Sequence, residues 1–358
     1  MRNRNRAIWA SWHVGCGAAC CFLVAFVAAG IARPSLADDA LRNPDNDGAT
    51  PPWSFAWISD MHISAATLEH TAAAFRYVDT ELKPDFVLFT GDNNGYPGPP
   101  DGADASESRG LRRQRFLKRF LEQHLKTPYV IIPGDNWPEA FDQVFGPKQF
   151  SFDRGGLHFL LLAPDRAWSL PKNEGLSVFD SSTWDWIEQD LNRNRERPTI
   201  VAIHEPVFPP TFLDAPRLRQ TLARHPNVIA VLQGHLHVDM QLRADGKAYL
   251  VAPSLARPPQ PGMKVVDVYP TGLRLRTVVY REPDNQFEMQ ARVQRIDVPA
   301  ALQAMLAAPA DAPFTMKNYE SLPASPLVED PSLQGRSSEL IKNAFKLLLP
   351  STPVGPVQ

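Results

Sequence analysis

Five short blocks of the sequence combine carboxylate, imidazole and amide side chains, which are groups that bind divalent metal ions. In chain order the blocks are Asp60-Met61-His62, Gly91-Asp92-Asn93, Gly134-Asp135-Asn136, a single His204, and Gly234-His235-Leu236-His237. The chain has nine histidines, and four of them fall in these blocks. Imidazole together with carboxylate favours Mn, Fe, Zn, Ni or Co over an all-oxygen Ca or Mg site. The blocks therefore predict a transition-metal centre.

Each block follows an apolar segment that has the length and composition of a buried strand. These segments are residues 55–58, 86–90, 129–132, 199–203 and 228–232. Stretches with helical spacing lie between them, and this alternation predicts an α/β fold. Because the carboxyl ends of neighbouring parallel strands meet at one crevice, we expect the five blocks to lie together. Side chains two residues apart, such as Asp60 and His62, share a face there.

The order of these blocks resembles the calcineurin-like metallophosphoesterase superfamily over about residues 53–280. Its members share Asp-x-His, Gly-Asp, Gly-Asn-His, a single His and Gly-His-x-His in that order. The resemblance implies a sandwich of two sheets flanked by helices, with two divalent metal ions in the crevice. It also implies seven metal ligands: Asp60, His62 and His237 for one ion, Asp92 for both, and Asp135, His204 and His235 for the other.

The resemblance implies metal-dependent hydrolysis of a phosphate mono- or diester, in which a hydroxide bridging the two ions attacks phosphorus. A narrower alternative is a phosphodiesterase that acts on cyclic nucleotides or phospholipid-type substrates. A formal net charge of −2 gives no general attraction to polyanions, so we expect no specific nucleic-acid partner. An alternative of another class is a metal-retaining binding protein with impaired catalysis.

The third block departs from the family pattern, because Asp135 and Asn136 stand where an amide ligand and a histidine are usual. Asp135 would bring a third carboxylate to the ions. Asn136 would contact the phosphate, but an amide has no proton to transfer. We assign both residues to the catalytic block, and we assign Asn93, Asn136 and Trp137 to substrate binding. A shift by one residue, which would make Asn136 the ligand, is the other alignment.

Residues 1–37 have the features of a secretory signal. Three arginines among the first six residues precede an apolar run over residues 14–31, and small residues at 35 and 37 suit signal peptidase. We therefore expect an exported protein, periplasmic or secreted; the alternative is an uncleaved membrane anchor through residues 8–31. All three cysteines lie in this segment, so the cleaved protein would have only His, carboxylate and amide ligands for a metal.

The rest of the chain divides by composition. Residues 38–52 are expected to form a linker and residues 53–298 the metallophosphoesterase-like domain. Strands without helices follow residue 245, and they predict a second antiparallel sheet or a sheet edge that closes the domain. Residues 299–358 are rich in Pro and Ala, which predicts a tail outside the core. One short amphipathic helix, at residues 338–349, is the exception.

Residues 108–125 are predicted to form a helix with many basic side chains. Its apolar residues, among them Leu117 and Phe120, are expected to face the core. We expect the basic side chains to form a solvated face; they are Arg109, Arg112, Arg113, Arg115, Lys118 and Arg119.

Overall fold

The computed structural model describes residues 51, 53–94, 107–169, 175–258, 260–281, 286–306 and 310–322. The predicted signal segment and the predicted amphipathic helix at residues 338–349 lie outside the described residues. In the part of the chain that is described, no helix is both long enough and apolar enough to span a membrane.

The first sheet has six strands, and three of them are parallel. In spatial order they are β14 (Gln286–Asp297), β13 (Gly272–Arg281), β12 (Gly262–Tyr269), β1 (Trp53–Ile58), β2 (Phe86–Thr90) and β3 (Tyr129–Ile132). β1, β2 and β3 run in parallel, whereas β12, β13 and β14 form an antiparallel meander beside β1. The first three predicted blocks therefore follow strands that end at the same edge.

The second sheet has seven strands. In spatial order they are β10 (Met240–Ala244), β11 (Lys247–Val251), β9 (Val228–Gln233), β8 (Thr199–Ile203), β5 (Leu157–Leu162), β4 (Phe150–Arg154) and β15 (Lys317–Ser321). The four central strands are parallel, and the other three pair in antiparallel fashion at the two sides. His204 and Gly234 directly follow β8 and β9. A separate hairpin joins β6 (Asp165–Ser169) to β7 (Gly175–Val178).

The two sheets pack face to face through the apolar residues on their inner sides, and the central strands are apolar on the outer side as well because helices cover it. On β1, Phe55 and Trp57 point into the space between the sheets, while Ala56 and Ile58 face the helices outside the first sheet. Phe159 of the second sheet meets Phe55 edge to face, with ring centroids 5.6 Å apart. Aromatic contacts of this kind join the two sheets at the centre of the core.

Helices cover the outer face of each sheet. Those on the first sheet are α1 (Leu68–Tyr77), which a π-helical turn (Val78–Leu82) extends, α2 (Arg109–His124) and α3 (Phe141–Phe145), and those on the second are α4 (Ser181–Arg193) and α5 (Ala215–Ala223). Ser108 caps α2 by accepting a hydrogen bond from Leu111, and Asp180 caps α4 in the same way. The predicted α/β fold, two sheets flanked by helices, is confirmed.

The strands after residue 245 extend the edges of both sheets. β11 pairs in parallel with β9 in the second sheet, and β12 pairs with β1 in the first. Of the two arrangements that the sequence left open, the structure has the sheet edge and not a separate antiparallel sheet.

The first part of the predicted tail packs on the domain. Helix α6 (Ala300–Leu306) buries Leu306 in the core between the sheets, and Phe314 stacks on Phe86 with ring centroids 4.6 Å apart. The prediction that no core residue follows residue 298 is therefore wrong for this segment. Single apolar residues spaced along a Pro- and Ala-rich stretch have neither helical nor strand periodicity, so the pattern did not reveal them.

Candidate metal centre

The ends of β1, β2, β3, β8 and β9 meet in one crevice and bring the five blocks together. Backbone hydrogen bonds join the first two blocks: the Asp60 N–H donates to the Gly91 carbonyl (3.0 Å) and the His62 N–H to the Asp92 carbonyl (2.9 Å). The Gly234 N–H donates to the His204 carbonyl (2.9 Å) and so joins the last two. The backbone thus fixes the relative positions of the blocks.

Most of the predicted ligands lie in left-handed backbone, which side chains other than glycine rarely adopt. The residues with positive φ are Asp60 (54°), His62 (38°), Asp92 (48°), His235 (68°) and His237 (59°). Such conformations cost ~1–3 kcal/mol each and concentrate at functional sites, where the surrounding structure holds them. Here they turn the side chains after β1, β2 and β9 towards a common centre.

Two glycines allow the blocks to approach closely. A Cβ atom on Gly134 would lie 2.1 Å from Oδ1 of Asp92, and a Cβ atom on Gly234 would lie 2.1 Å from the Ser59 hydroxyl. Both distances are far inside van der Waals contact, so neither position has room for another side chain. The Gly-Asp and Gly-His pairings of the sequence are therefore a packing requirement of this crevice.

The first group of donor atoms comes from Asp60, His62 and His237. Oδ1 of Asp60 lies 3.2 Å from Nε2 of His237 and 3.7 Å from Nε2 of His62. The two imidazole Nε2 atoms are 3.1 Å apart. All three donor atoms therefore surround one small volume, and Asp60 is completely buried beneath it.

The second group of donor atoms comes from Asp135, His204 and His235. Oδ1 of Asp135 lies 3.0 Å from Nε2 of His204 and 3.1 Å from Nδ1 of His235. Asp92 lies between the two groups: its Oδ1 is 3.4 Å from Nε2 of His204, and its Oδ2 is 3.7 Å from Nε2 of His62. One carboxylate therefore faces both groups.

These separations fit metal coordination. Ligand atoms that each lie about 2.1 Å from one ion are about 3–3.5 Å from each other, and most of the distances above fall in or near that range. Three carboxylates, from Asp60, Asp92 and Asp135, also lie together in a largely buried place. Buried negative charges of this density require compensating cations. The donor set therefore fits divalent metal ions.

Hydrogen bonds orient the ligands. Nδ1 of His204 donates to the Thr90 carbonyl (2.8 Å), which leaves Nε2 directed at the centre. Burial opposes ionisation of Asp60, but the neighbouring His204 and His237 imidazoles lower its pKa to about 2. Burial lowers the pKa of His62 to about 4, against the charges of Asp92 and Asp60. At neutral pH this carboxylate is ionised and this imidazole neutral, the forms that bind metal.

In the second group the carboxylate behaves as in the first, but the imidazole pKa moves the opposite way. Burial opposes ionisation of Asp135, but hydrogen bonds from His204 and His235 lower its pKa. Burial also opposes protonation of His204, whose pKa the charges of Asp92 and Asp60 nevertheless raise well above its ordinary value. Positive charge is therefore favoured at the point where these carboxylates meet.

The two residues of the third block face different parts of the crevice. Asp135 supplies the oxygen of the second donor group, whereas Asn136 lies beside Asp92. The backbone N–H of Asn136 donates to Oδ1 of Asp92 (2.9 Å), and its side-chain amide donates to Oδ2. Asn136 therefore holds the carboxylate that faces both groups. Its contact with the phosphate, and the catalytic assignment of Asp135, stay predictions.

The three predicted substrate-binding residues line one narrow pocket beside the centre, together with Gln114 of α2. Asn93 is buried, and its amide donates to the Ile132 carbonyl (3.1 Å). Trp137 is 37% exposed. The structure thus brings these residues together, with Asn93 buried and Asn136 and Trp137 both exposed to a ligand.

Sequence reasoning missed several supporting residues. Ser59 donates to Oδ2 of Asp60 (2.6 Å) and Ser254 to the Asp60 carbonyl (2.7 Å), and no motif contains either serine. Arg113 corrects the prediction of a wholly solvated basic face, because it is only 5% exposed. A detectable signal existed: Arg113 precedes Leu117 by four residues and Phe120 by seven, which places it on the buried stripe of α2.

Known proteins with related sequences support the resemblance to the calcineurin-like metallophosphoesterases. The sequence matches the calcineurin-like phosphoesterase family over residues 54–239. It is 25% identical over 226 residues to the 3',5'-cyclic-nucleotide phosphodiesterase of Nostoc sp., which covers 57% of this chain and 78% of that protein. It is 28% identical over 267 residues to the 3',5'-cyclic adenosine monophosphate phosphodiesterase CpdA of Escherichia coli K12. This match covers 64% of this chain and 90% of that protein.

Two solved structures share the fold. The dimetal phosphatase from Danio rerio superposes with a TM-score of 0.55 at 11% identity, over 70% of this chain and 100% of that one. GAP50 of Plasmodium superposes with a TM-score of 0.50 at 12% identity, over 71% of this chain and 94% of that one. The family match itself spans more than half of the chain. The chain therefore belongs to the calcineurin-like phosphoesterase family, and it is a metal-dependent phosphoric ester hydrolase.

Proposed function

We propose that this enzyme is a 3',5'-cyclic-nucleotide phosphodiesterase that works with two divalent metal ions. The observation that carries the proposal is the pair of donor groups on either side of the Asp92 carboxylate. The similarity to two cyclic-nucleotide phosphodiesterases supports the substrate class. In this assignment the ligands are Asp60, His62 and His237 for one ion, Asp135, His204 and His235 for the other, and Asp92 for both.

Two such ions, when bound, lower the pKa of a water between them and stabilise the charge that develops on the phosphoryl oxygens. The donor set suits Mn, Fe, Zn, Ni or Co. The chain's own residues hold the metal-binding side chains in position. Asn136 holds Asp92 through two hydrogen bonds, and the Thr90 carbonyl orients His204. These contacts reduce the reorganisation that the ligands need when substrate binds.

The third block gives this site one carboxylate more than is usual in the family. It also has no side chain at position 136 that could donate a proton to the leaving oxygen. A third carboxylate, Asp135, neutralises more of the positive charge of the ions than an amide would. Asn136 neither gives nor takes a proton at neutral pH. The leaving oxygen must therefore receive its proton from another group or from solvent.

The proposal is tested with purified protein loaded with Mn, Zn or Ni. Substrates are 3',5'-cyclic AMP, bis-p-nitrophenyl phosphate and p-nitrophenyl phosphate. We expect hydrolysis of both diesters at a higher kcat/KM than the monoester, loss of activity with EDTA, and recovery with added metal. Elemental analysis should find two ions per chain. Preference for the monoester would contradict the substrate class, and one ion per chain would contradict the shared role of Asp92.

A protein that binds two ions but hydrolyses none of these esters would instead be the metal-retaining binding protein.

We also propose that the protein is exported, on the basis of the signal-like features of residues 1–37. N-terminal sequencing of protein recovered from the periplasm or medium should begin shortly after Ala37. Full-length protein in the membrane fraction would support the anchor instead.

A further inference from the structure

Trp137 is exposed beside the metal centre. Among the described residues, the large apolar side chains that stay exposed are Trp137, Met316 and Tyr319, and the latter two lie in the C-terminal segment near the outer edge of the second sheet. Trp137 directly follows Asn136, whose amide donates to Asp92. Because two residues of chain span at most about 7 Å, the backbone of Trp137 lies close to Asp135.

The backbone of Trp137 has a φ of 52°, a left-handed conformation that a bulky residue rarely adopts. Two buried side chains hold it there. Gln114 donates to the Trp137 carbonyl (3.0 Å), and Asn94 donates to the same oxygen (3.5 Å). A large aromatic residue in this conformation, held from two elements, indicates that the direction of the ring matters.

Arg113 fixes the ring itself. Its guanidinium lies over the indole of Trp137, 4.4 Å from the ring centroid. Arg113 is only 5% exposed, and its Nε has no hydrogen-bond partner among the described residues. The cation–π contact is thus the principal contact described for a buried cation. It covers one side of the indole and leaves the exposed part of the ring available to a ligand.

We propose that Trp137 is a stacking platform for the nucleobase of the substrate, and that Arg113 positions it. The inference rests on the proposed function, because it requires a phosphoester that bears a planar heteroaromatic ring. A cyclic nucleotide places one ribose between phosphorus and base, so its base must bind near the phosphate, and Trp137 is an exposed aromatic residue two positions from Asp135. An indole face binds any base by stacking, so it recognises nucleotides as a class over phosphoesters without a base.

The test compares two substrates and three variants, of which the two at Trp137 have similar side-chain volumes. The substrates are 3',5'-cyclic AMP and the 3',5'-cyclic phosphate of 1-O-methylribose, which lacks the base. For Trp137→Leu we expect the ratio of kcat/KM between these substrates to fall about tenfold, because stacking on one base is lost. Trp137→Phe keeps a π-face, and its ratio should stay within about threefold of wild type. Arg113→Met should lower the ratio less than Trp137→Leu does.

Tyr319→Ala is the matched control, since it removes an exposed aromatic ring on β15, and its ratio should equal that of wild type. Metal content, measured by elemental analysis, should not distinguish the Leu and Phe variants. Equal ratios for Trp137→Leu, Trp137→Phe and wild type would overturn the platform while the proposed function stands. Wild-type protein that hydrolyses bis-p-nitrophenyl phosphate but neither cyclic substrate would overturn the proposed substrate class, and the platform with it.

Discussion

Among the described residues, two clusters of aspartate and histidine differ in what their donor atoms face. The metal centre joins strand ends of both sheets. The second cluster, which we call the closed cluster, is Asp153 of β4, His158 of β5 and Asp190 of α4. His158 donates from Nδ1 to Asp153 (2.8 Å) and from Nε2 to Asp190 (2.8 Å). An imidazole that donates from both nitrogens is an imidazolium, so this cluster contains its own cation.

The remaining carboxylate oxygens of the closed cluster also have donors. Ser151 donates to Oδ2 of Asp190 (2.6 Å), and Asn318 donates to Oδ2 of Asp153 (2.6 Å). Arg197 adds an ion pair to Asp153 at 3.0 Å. In the metal centre, by contrast, three carboxylates and four imidazoles face one another, and five of these seven residues lie in left-handed backbone. The residue types are alike, but the closed cluster is sealed from solvent and pairs two carboxylates with one imidazolium. In the metal centre, donor atoms of several carboxylates and imidazoles converge on the same small volumes, and Asp135, His235 and His237 stay partly exposed.

The largest effect expected from this difference is that of Asp92→Asn on metal content and catalysis. Removing the charge between the two donor groups should lower both metal content and kcat/KM, the latter by more than about a hundredfold, since loss of even an outer partner of a ligand costs ~10–100-fold. Elemental analysis and initial rates measure the two quantities. The matched substitution in the closed cluster, Asp190→Asn, should leave metal content as in wild type. Full metal occupancy in Asp92→Asn would contradict the role given to this carboxylate.

The same Asp190→Asn variant should lose stability instead. Its carboxylate pairs with His158 and accepts from Ser151, and removing one partner of a buried ion pair costs ~3–5 kcal/mol. Urea unfolding of the metal-free proteins measures this change. Asp92→Asn should lose less in the same experiment, because in the metal-free protein the repulsion of Asp92 by the neighbouring carboxylates offsets its attraction to His204. Equal losses in the two variants would show that the clusters do not differ in the way described.

The metal centre and the closed cluster also differ in how well the sequence predicts them. The convergence of the five blocks was predictable because their carboxylate and imidazole side chains recur in short blocks at strand ends, and the order of those blocks is specific. The closed cluster was not, because His158 lies within a strand and its partners come from two other elements. Arg113 and Trp137 form a pair across 24 positions of the chain, and no local pattern connects them. Contacts between distant residues require the fold.

The closed cluster should also make stability depend on pH. Burial opposes protonation of His158, but hydrogen bonds to Asp153 and Asp190 raise its pKa above the ordinary 6.5. A raised pKa in the folded state contributes stability that is complete below the unfolded value and is lost as pH rises through the folded value. The difference in unfolding free energy between wild type and His158→Gln should therefore shrink between pH 6 and pH 10. A difference that grows over this interval would reverse the assigned charge state.

The smallest effect concerns the strand that completes the closed cluster. Asn318 of β15 is exposed, and its amide donates to Asp153 from a backbone with a φ of 51°. Asn318→Gly removes this hydrogen bond without adding left-handed strain, and we expect a loss of about 1 kcal/mol in urea unfolding. Asn318→Ala should lose more, because alanine tolerates this φ poorly. Since β15 also pairs with β4 through its backbone, the strand should stay in place in both variants. A loss in Asn318→Gly as large as that of Asp190→Asn would mean that this one amide, and not the buried carboxylates, holds the closed cluster together.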